Sequence, residues 1–170
     1  MMELIVREEK ESEIGGIDAV LRDAFPGDDE AKLVRALRAN GNATLSLVAE
    51  EGGEIVGHIL FSPMRNAAGE VYEKGVGLAP MAVRGHRQRQ GIGKQLIEAS
   101  LRRLKAAGFG FVVVLGHLDY YPKFGFRRAD ELGIENEYGV GAEFMILELD
   151  EGAAAGVKGL IRYSEEFSAL

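Results

Sequence analysis

Arg84-Gly85-His86-Arg87-Gln88-Arg89-Gln90-Gly91-Ile92-Gly93-Lys94 joins two regular patterns, and its reading decides the fold around it. Before it, Val76 to Val83 is an apolar run that reads as a strand. After it, Ile92, Leu96, Ile97, Leu101 and Leu104 recur at helical spacing, which predicts a helix that opens near Gly91 and ends at Gly108. A glycine-rich, basic turn therefore sits where a strand hands over to a helix. The first amide N–H groups of a helix have no partner within it and lie at the positive end of its dipole, so they form an anion site, and glycines let an anion approach the backbone. No acid falls between Lys74 and Ile97, although the whole chain carries a formal charge of -7. That local reversal of sign points to a phosphate-bearing ligand.

A solvated basic loop is the plainer reading of the same residues. Against it, Gly91 and Gly93 stand where a helix should start, and each costs about 0.5 to 1 kcal/mol relative to alanine inside one. Two nucleotide-binding motifs fail on named residues. A dinucleotide fingerprint needs glycine in place of Leu96; a P-loop needs glycine in place of Gln88 and Ser or Thr in place of Gln95.

Gln88-Arg89-Gln90-Gly91-Ile92-Gly93 resembles the Gln/Arg-x-x-Gly-x-Gly/Ala signature of the GNAT N-acetyltransferase superfamily. The flanks agree with it. Gly77-Leu78-Ala79-Pro80-Met81-Ala82-Val83 resembles the strand that leads into the superfamily's acetyl-CoA loop. Val112-Val113-Val114-Leu115-Gly116 and Tyr120-Tyr121-Pro122-Lys123-Phe124-Gly125-Phe126 are similar to its next strand and the Tyr-x-x-x-Gly-Phe element that follows. The resemblance covers about Leu4 to Leu149. The Val157 to Tyr163 segment, together with Gly57-His58-Ile59-Leu60-Phe61-Ser62-Pro63 and Tyr120 to Phe126, is similar to a YhbS-like branch of predicted N-acetyltransferases.

The resemblance implies an α/β (α+β) chain with the GNAT acyl-CoA N-acyltransferase fold: a mixed, mostly antiparallel central sheet with a splayed strand pair and helices on both faces. It implies acetyl-CoA as cosubstrate and no metal. Met81, Ala82 and Val83 would offer backbone groups to the pantetheine arm and the thioester carbonyl. Gln88, Arg89, Gln90, Gly91, Ile92, Gly93 and Lys94 would wrap the pyrophosphate. Arg84 and Arg87 would either meet the 3′-phosphate or point into water. The implied reaction is attack of an amine on the acetyl thioester through a tetrahedral intermediate, with Tyr121 giving a proton to the departing thiolate. A phenol near pKa 10 is protonated at neutral pH and suits that role; packing beside Phe124 and Phe126 is its structural alternative. Tyr120 is expected to pack or to line the coenzyme cleft.

The acceptor is expected to be a primary amine of a small molecule or peptide. An alkyl amine near pKa 10.4 must give up about 4.6 kcal/mol to be neutral at pH 7, so it needs a base or a water chain. Glu30, His58, His117 and Asp119 are the candidates, while His86 adds charge to the loop. The three histidines show no metal-ligand spacing. A non-catalytic acyl-CoA-binding sensor is the alternative function. The loops between the first two helices and around Asn66 to Glu73 would line the amine side.

Length and composition bound the rest. At 170 residues and 46% hydrophobic content the chain suits one core, read as a domain over 1–150 with a C-terminal extension over 151–170. The extension reads as a strand packed on the same domain, or as a segment that closes the acceptor site or forms a homodimer interface. Having no cysteine, the chain forms no disulfide, thiol nucleophile or Cys-ligated zinc. The acidic balance argues against nucleic acid as partner, and no apolar run approaches a membrane span, so a cytoplasmic protein is expected. Strands are predicted at Glu3 to Arg7, Leu45 to Glu50, Glu54 to Pro63, Val76 to Val83, Phe111 to Leu115 and Phe144 to Leu149, with Gly52-Gly53 as a hairpin turn. Helices are predicted near Glu11 to Ala24, Asp28 to Ala39 and Leu118 to Lys123 besides the one after Gly91.

Overall fold

In chain order the elements are β1 (Leu4–Glu8), α1 (Ile14–Ala24), α2 (Asp29–Ala39), β2 (Leu45–Glu51), β3 (Glu54–Asn66), β4 (Val71–Val83), α3 (Ile92–Ala106), β5 (Phe111–Leu115), β6 (Arg127–Arg128), β7 (Ile134–Asn136), β8 (Phe144–Glu148) and β9 (Gly159–Arg162). They are taken from a computed structural model that describes residues 2–169. The sheet runs β1-β2-β3-β4-β5-β8-β6, antiparallel at every pairing on that path except β4 with β5. Gly52 and Gly53, at φ 60 and 82, close the β2–β3 hairpin with Glu51 opposite Glu54, a turn that demands positive φ at both central residues.

Alternation along the strands sends side chains to two faces. Leu47, Ala49, Val56, Ile59 and Phe61 pack under α3 through Ile92, Leu96, Ile97 and Leu104. Val48, Ile55, Leu60 and Ala82 face α1 and α2, meeting Ile17, Leu21, Val34 and Leu37. Each fully buried Leu or Ile contributes about 1.5 to 3 kcal/mol, so the stripe on α3 holds its start firmly over the sheet. Gly57 permits that approach, because a Cβ there would lie 3.0 Å from Ile92 Cγ2 and 3.1 Å from Leu96 Cδ1.

β4 and β5 share register over only three residues, from Gly75 opposite Phe111 to Gly77 opposite Val113. Past Gly77, β4 stays paired with β3 and its other side is left without a strand among the described residues. The strands part there. Arg84 N–H donates to Val56 O at 2.9 Å, so by the two-residue period of the ladder Ala82 also turns its main chain toward β3, whereas Met81 and Val83 turn theirs toward the gap.

β9 pairs antiparallel with Arg65 and Asn66 of β3, beyond the point where β2 ends, and parallel with β7. With it, Met64, Phe111, Ile134, Ile146, Ile161 and Tyr163 form a third apolar cluster on the face away from α3.

Several boundaries differ from the sequence reading. β4 begins at Val71, not Val76, because Asn66 Oδ1 accepts the amides of Ala68 and Glu70 and folds residues 66–70 into a tight turn; Tyr72, Glu73 and Lys74 are polar strand residues at the tip of a hairpin. The helix read near Leu118 is a single 3-10 turn, Tyr121–Phe124. β6 and β7 were not foreseen, since two and three residues carry too little period to be recognised. Among the described residues, no helix is long and apolar enough to cross a membrane.

Candidate active site

The parted strands and the start of α3 enclose a cleft of about 730 Å³. Met81 and Val83 from β4, Gln88, Arg89, Gly91, Ile92, Gly93 and Lys94 from the loop and helix start, and Tyr121 from the 3-10 turn after β5 all line it. Ala82 and Gln90 do not. Ala82 is buried against α1 and α2 on the other face, and the Gln90 side chain is spent within the loop, donating to His86 O at 3.2 Å and accepting from Arg87 Nε at 2.9 Å.

The loop is shaped to receive an anion. Gly91 at φ 82 caps α3, and Arg89 holds the left-handed region at φ 64, a conformation that costs a non-glycine residue roughly 1 to 2 kcal/mol. The first bond into the helix runs from Gln95 N–H to Gly91 O, so the amides of Ile92, Gly93 and Lys94 find no backbone partner. Gly93 keeps them accessible: a Cβ there would sit 3.1 Å from the Tyr120 hydroxyl and 3.6 Å from Met81 Cε. Arg89, Lys94 and Lys123 line the cleft without an ion-pair partner among the described residues, so it is positive within an acidic chain.

Arg87 lines the cleft and Arg84 does not, and each of them already has partners within the fold. Arg87 forms a two-pronged ion pair with Glu51 at 2.8 and 3.1 Å, and Arg84 donates to Ile55 O at 3.0 Å while lying 3.4 Å from Glu54. Hydrogen bonding to Arg87 holds the Glu51 carboxyl below its ordinary value. Both arginines tie the loop to the β2–β3 hairpin, and the Asp23 carboxylate adds a third tie by accepting Gly85 N–H at 2.6 Å. The loop is braced before any ligand arrives, which lowers the ordering cost of binding.

Tyr121 stands opposite. Its ring fits against Gly116, where a Cβ would come within 2.3 Å of Cε2, and it meets Phe126 and Tyr120 edge to face. The residue lines the cleft, and its hydroxyl makes no hydrogen bond to a described residue. Burial, then the neighbouring Tyr120 phenol, push its pKa up to about 12.

Of the four candidate bases, His117 and Asp119 lie along the cleft. Glu30 is in the first turn of α2 and does not line it. His58 is fully buried between β2 and β4, with Nε2 2.8 Å from Ser46 Oγ. Since the Ser46 hydroxyl donates to the Glu9 carboxylate, it can only accept from His58, which puts the ring proton on Nε2. Burial lowers the His58 pKa to about 4. A folded value below the unfolded one means that the unfolded chain binds the extra proton. The stabilisation is full above about pH 6.5 and fades as pH falls toward 4. Urea unfolding should therefore find the advantage of wild type over His58→Gln reduced by about 2 to 3 kcal/mol between pH 7 and 4.5. A constant difference would contradict the buried neutral ring.

Residues 15–126 match the Acetyltransferase (GNAT) family. The chain belongs to that family. The relatives of this GNAT acyltransferase extend the likeness beyond the matched segment. It is 38% identical over 167 residues to Uncharacterized N-acetyltransferase YhbS of Escherichia coli K12, covering 97% of this chain and 99% of that protein. The crystal structure of E. coli YhbS in complex with CoA superposes with a TM-score of 0.92 at 36% identity, covering 99% of this chain and 93% of the other. A GNAT family acetyltransferase from Brucella melitensis in complex with acetyl-CoA follows at 0.80 and 34%, covering 97% and 98%. The expected fold, a mixed sheet of mostly antiparallel strands with helices, is the fold of these GNAT structures.

Proposed function

We propose that the chain moves the acetyl group of acetyl-CoA to a primary amine of a small molecule or peptide, with Tyr121 as the general acid. The observation that carries this reading is the braced, unpaired helix start of α3 at the mouth of the gap between β4 and β5. Complexes of two similar proteins with CoA and acetyl-CoA support it. The cradle fits the coenzyme in kind: free amides of Ile92, Gly93 and Lys94 with the Arg89 and Lys94 cations suit a pyrophosphate, and the main chain of Met81 and Val83 suits an amide-bearing arm.

Acetyl-CoA supplies the acetyl group already activated as a thioester. The amine nitrogen forms the new C–N bond, the C–S bond breaks, and the sulfur takes a proton from the Tyr121 phenol. The amine's own proton leaves toward water or the cleft-side His117 and Asp119 and restores the phenol. With its pKa near 12, Tyr121 always carries its proton at working pH. The same value makes complete transfer to a thiolate with a conjugate acid near 8.5 uphill by roughly 5 kcal/mol. Tyr121 therefore acts by hydrogen bonding the sulfur as charge builds, and transfer completes only as the amine is deprotonated.

Calorimetry with acetyl-CoA, paired with an assay of CoA release across a panel of amines, tests the reading. Saturable heat below millimolar concentration and release with at least one amine are expected. Heat without release from any amine would point to an acyl-CoA sensor, and no heat at millimolar coenzyme removes the site altogether.

A further inference from the structure

Acetyl transfer through Tyr121 leaves the hydroxyl of its neighbour Tyr120 without a task, although Tyr120 lines the same cleft. The main chain of Tyr120 is fixed on both sides. Its N–H donates to His117 O at 3.2 Å, and its carbonyl accepts from Lys123 N–H at 3.2 Å. Its ring meets Tyr121 edge to face at 5.2 Å and Phe124 at 5.4 Å, and the Lys123 ammonium stands 5.7 Å from the ring centre. Contacts of this kind hold an aromatic ring in one orientation.

The polar tip of that ring reaches the first turn of α3. A Cβ placed on Gly93 would lie 3.1 Å from the Tyr120 hydroxyl oxygen, so a larger residue there would crowd the phenol. A residue's Cβ and amide nitrogen are about 2.5 Å apart, which puts the phenol oxygen within about 5.6 Å of the Gly93 nitrogen. Two donors that each hold an acceptor at about 2.9 Å stand as much as about 5.8 Å apart. One anionic oxygen seated on the Gly93 amide is therefore within reach of the Tyr120 hydroxyl as well.

The surrounding groups call for such an acceptor. The amides of Ile92, Gly93 and Lys94 find no backbone partner, and Arg89, Lys94 and Lys123 line the cleft as cations. None of these amides or cations accepts a hydrogen bond. Burial raises the Tyr120 pKa above the ordinary phenol value, so the hydroxyl keeps its proton at neutral pH and enters the set as a donor.

We propose that Tyr120 makes the coenzyme site selective for the diphosphate: its hydroxyl donates a hydrogen bond to a diphosphate oxygen that the amides at the start of α3 also hold. This rests on the acetyl-CoA reading proposed above. A thioester carried on pantetheine alone offers no such oxygen and gains nothing from the hydroxyl.

Tyr120→Phe keeps the ring against Tyr121 and Phe124, and an unchanged melting curve verifies the packing. Calorimetry with acetyl-CoA is expected to find an affinity about tenfold or more below wild type, the loss of one hydrogen bond to a charged group. In the phosphorus-31 spectrum of bound CoA, the diphosphate resonances are expected to differ between variant and wild type, with the 3′-phosphate resonance in place. Affinity within about twofold of wild type, or diphosphate resonances at their wild-type positions, overturns the assignment and leaves coenzyme binding standing. A shift of all the phosphate resonances alike overturns it too, because it reports a coenzyme displaced as a whole. Wild type that gives no heat with acetyl-CoA removes the coenzyme site itself, and this contact with it.

Discussion

Tyr121→Phe is expected to lower kcat by about 10²- to 10⁴-fold, the usual worth of a positioned acid, while leaving acetyl-CoA affinity within about twofold. The prediction is sharp because the hydroxyl makes no hydrogen bond to a described residue, so its removal strands no polar group and the fold should hold. The ring stays wedged between Gly116 and Phe126. The pH profile separates the acid role from simple damage. With its pKa near 12, the phenol does not ionise between pH 6 and about 10, so wild type should show only a rising limb as the amine substrate loses its proton. The variant should show the same limb at a lower height. Equal turnover in the two proteins removes Tyr121 as proton donor.

Gly93→Leu is expected to weaken acetyl-CoA binding at least a hundredfold, about 2.8 kcal/mol, with little change in stability. A first-turn leucine is tolerated by a helix, and its propensity exceeds that of glycine. What it cannot share is the space, since even its Cβ would lie 3.1 Å from the Tyr120 hydroxyl and the longer branch would enter the cleft between Met81 and Tyr120. The side chain would also cover the amides of Ile92, Gly93 and Lys94. Calorimetry with acetyl-CoA reads the loss directly, and a melting curve like that of wild type assigns it to the site. Affinity within threefold of wild type would mean that this helix start is not the anion cradle.

Much of the fold was legible because long elements declare their period. The stripe of Ile92, Leu96, Ile97 and Leu104 and the apolar run of β5 could be read directly, and Gly52-Gly53 required a tight hairpin. β6 and β7 escaped because their pairing is decided by neighbours distant in sequence, and the tip of β4 because its exposed residues carry no apolar rhythm. In the loop, the spacing of Gly91 and Gly93 carried the anion reading, but charge alone did not disclose the partners of Arg84 and Arg87 within the fold. Their carboxylate and carbonyl partners lie on the β2–β3 hairpin, over 28 residues away at the nearest, Ile55 to Arg84. His58 was likewise a candidate base by residue type and is a buried, neutral structural ring by position.

What the chain's order of residues determined by itself was local: where helices and strands form, where positive φ is needed, and which glycines leave amides free at the start of α3. Those follow from backbone sterics and from apolar spacing, which act over a few residues. Only the tertiary structure decided that β4 and β5 part after Gly77, that Arg87 pairs with Glu51 while lining the cleft, and that Tyr121 lines the same cleft as the start of α3. Such juxtapositions arise from strand pairing and core packing between segments far apart in the chain, and no local pattern encodes them.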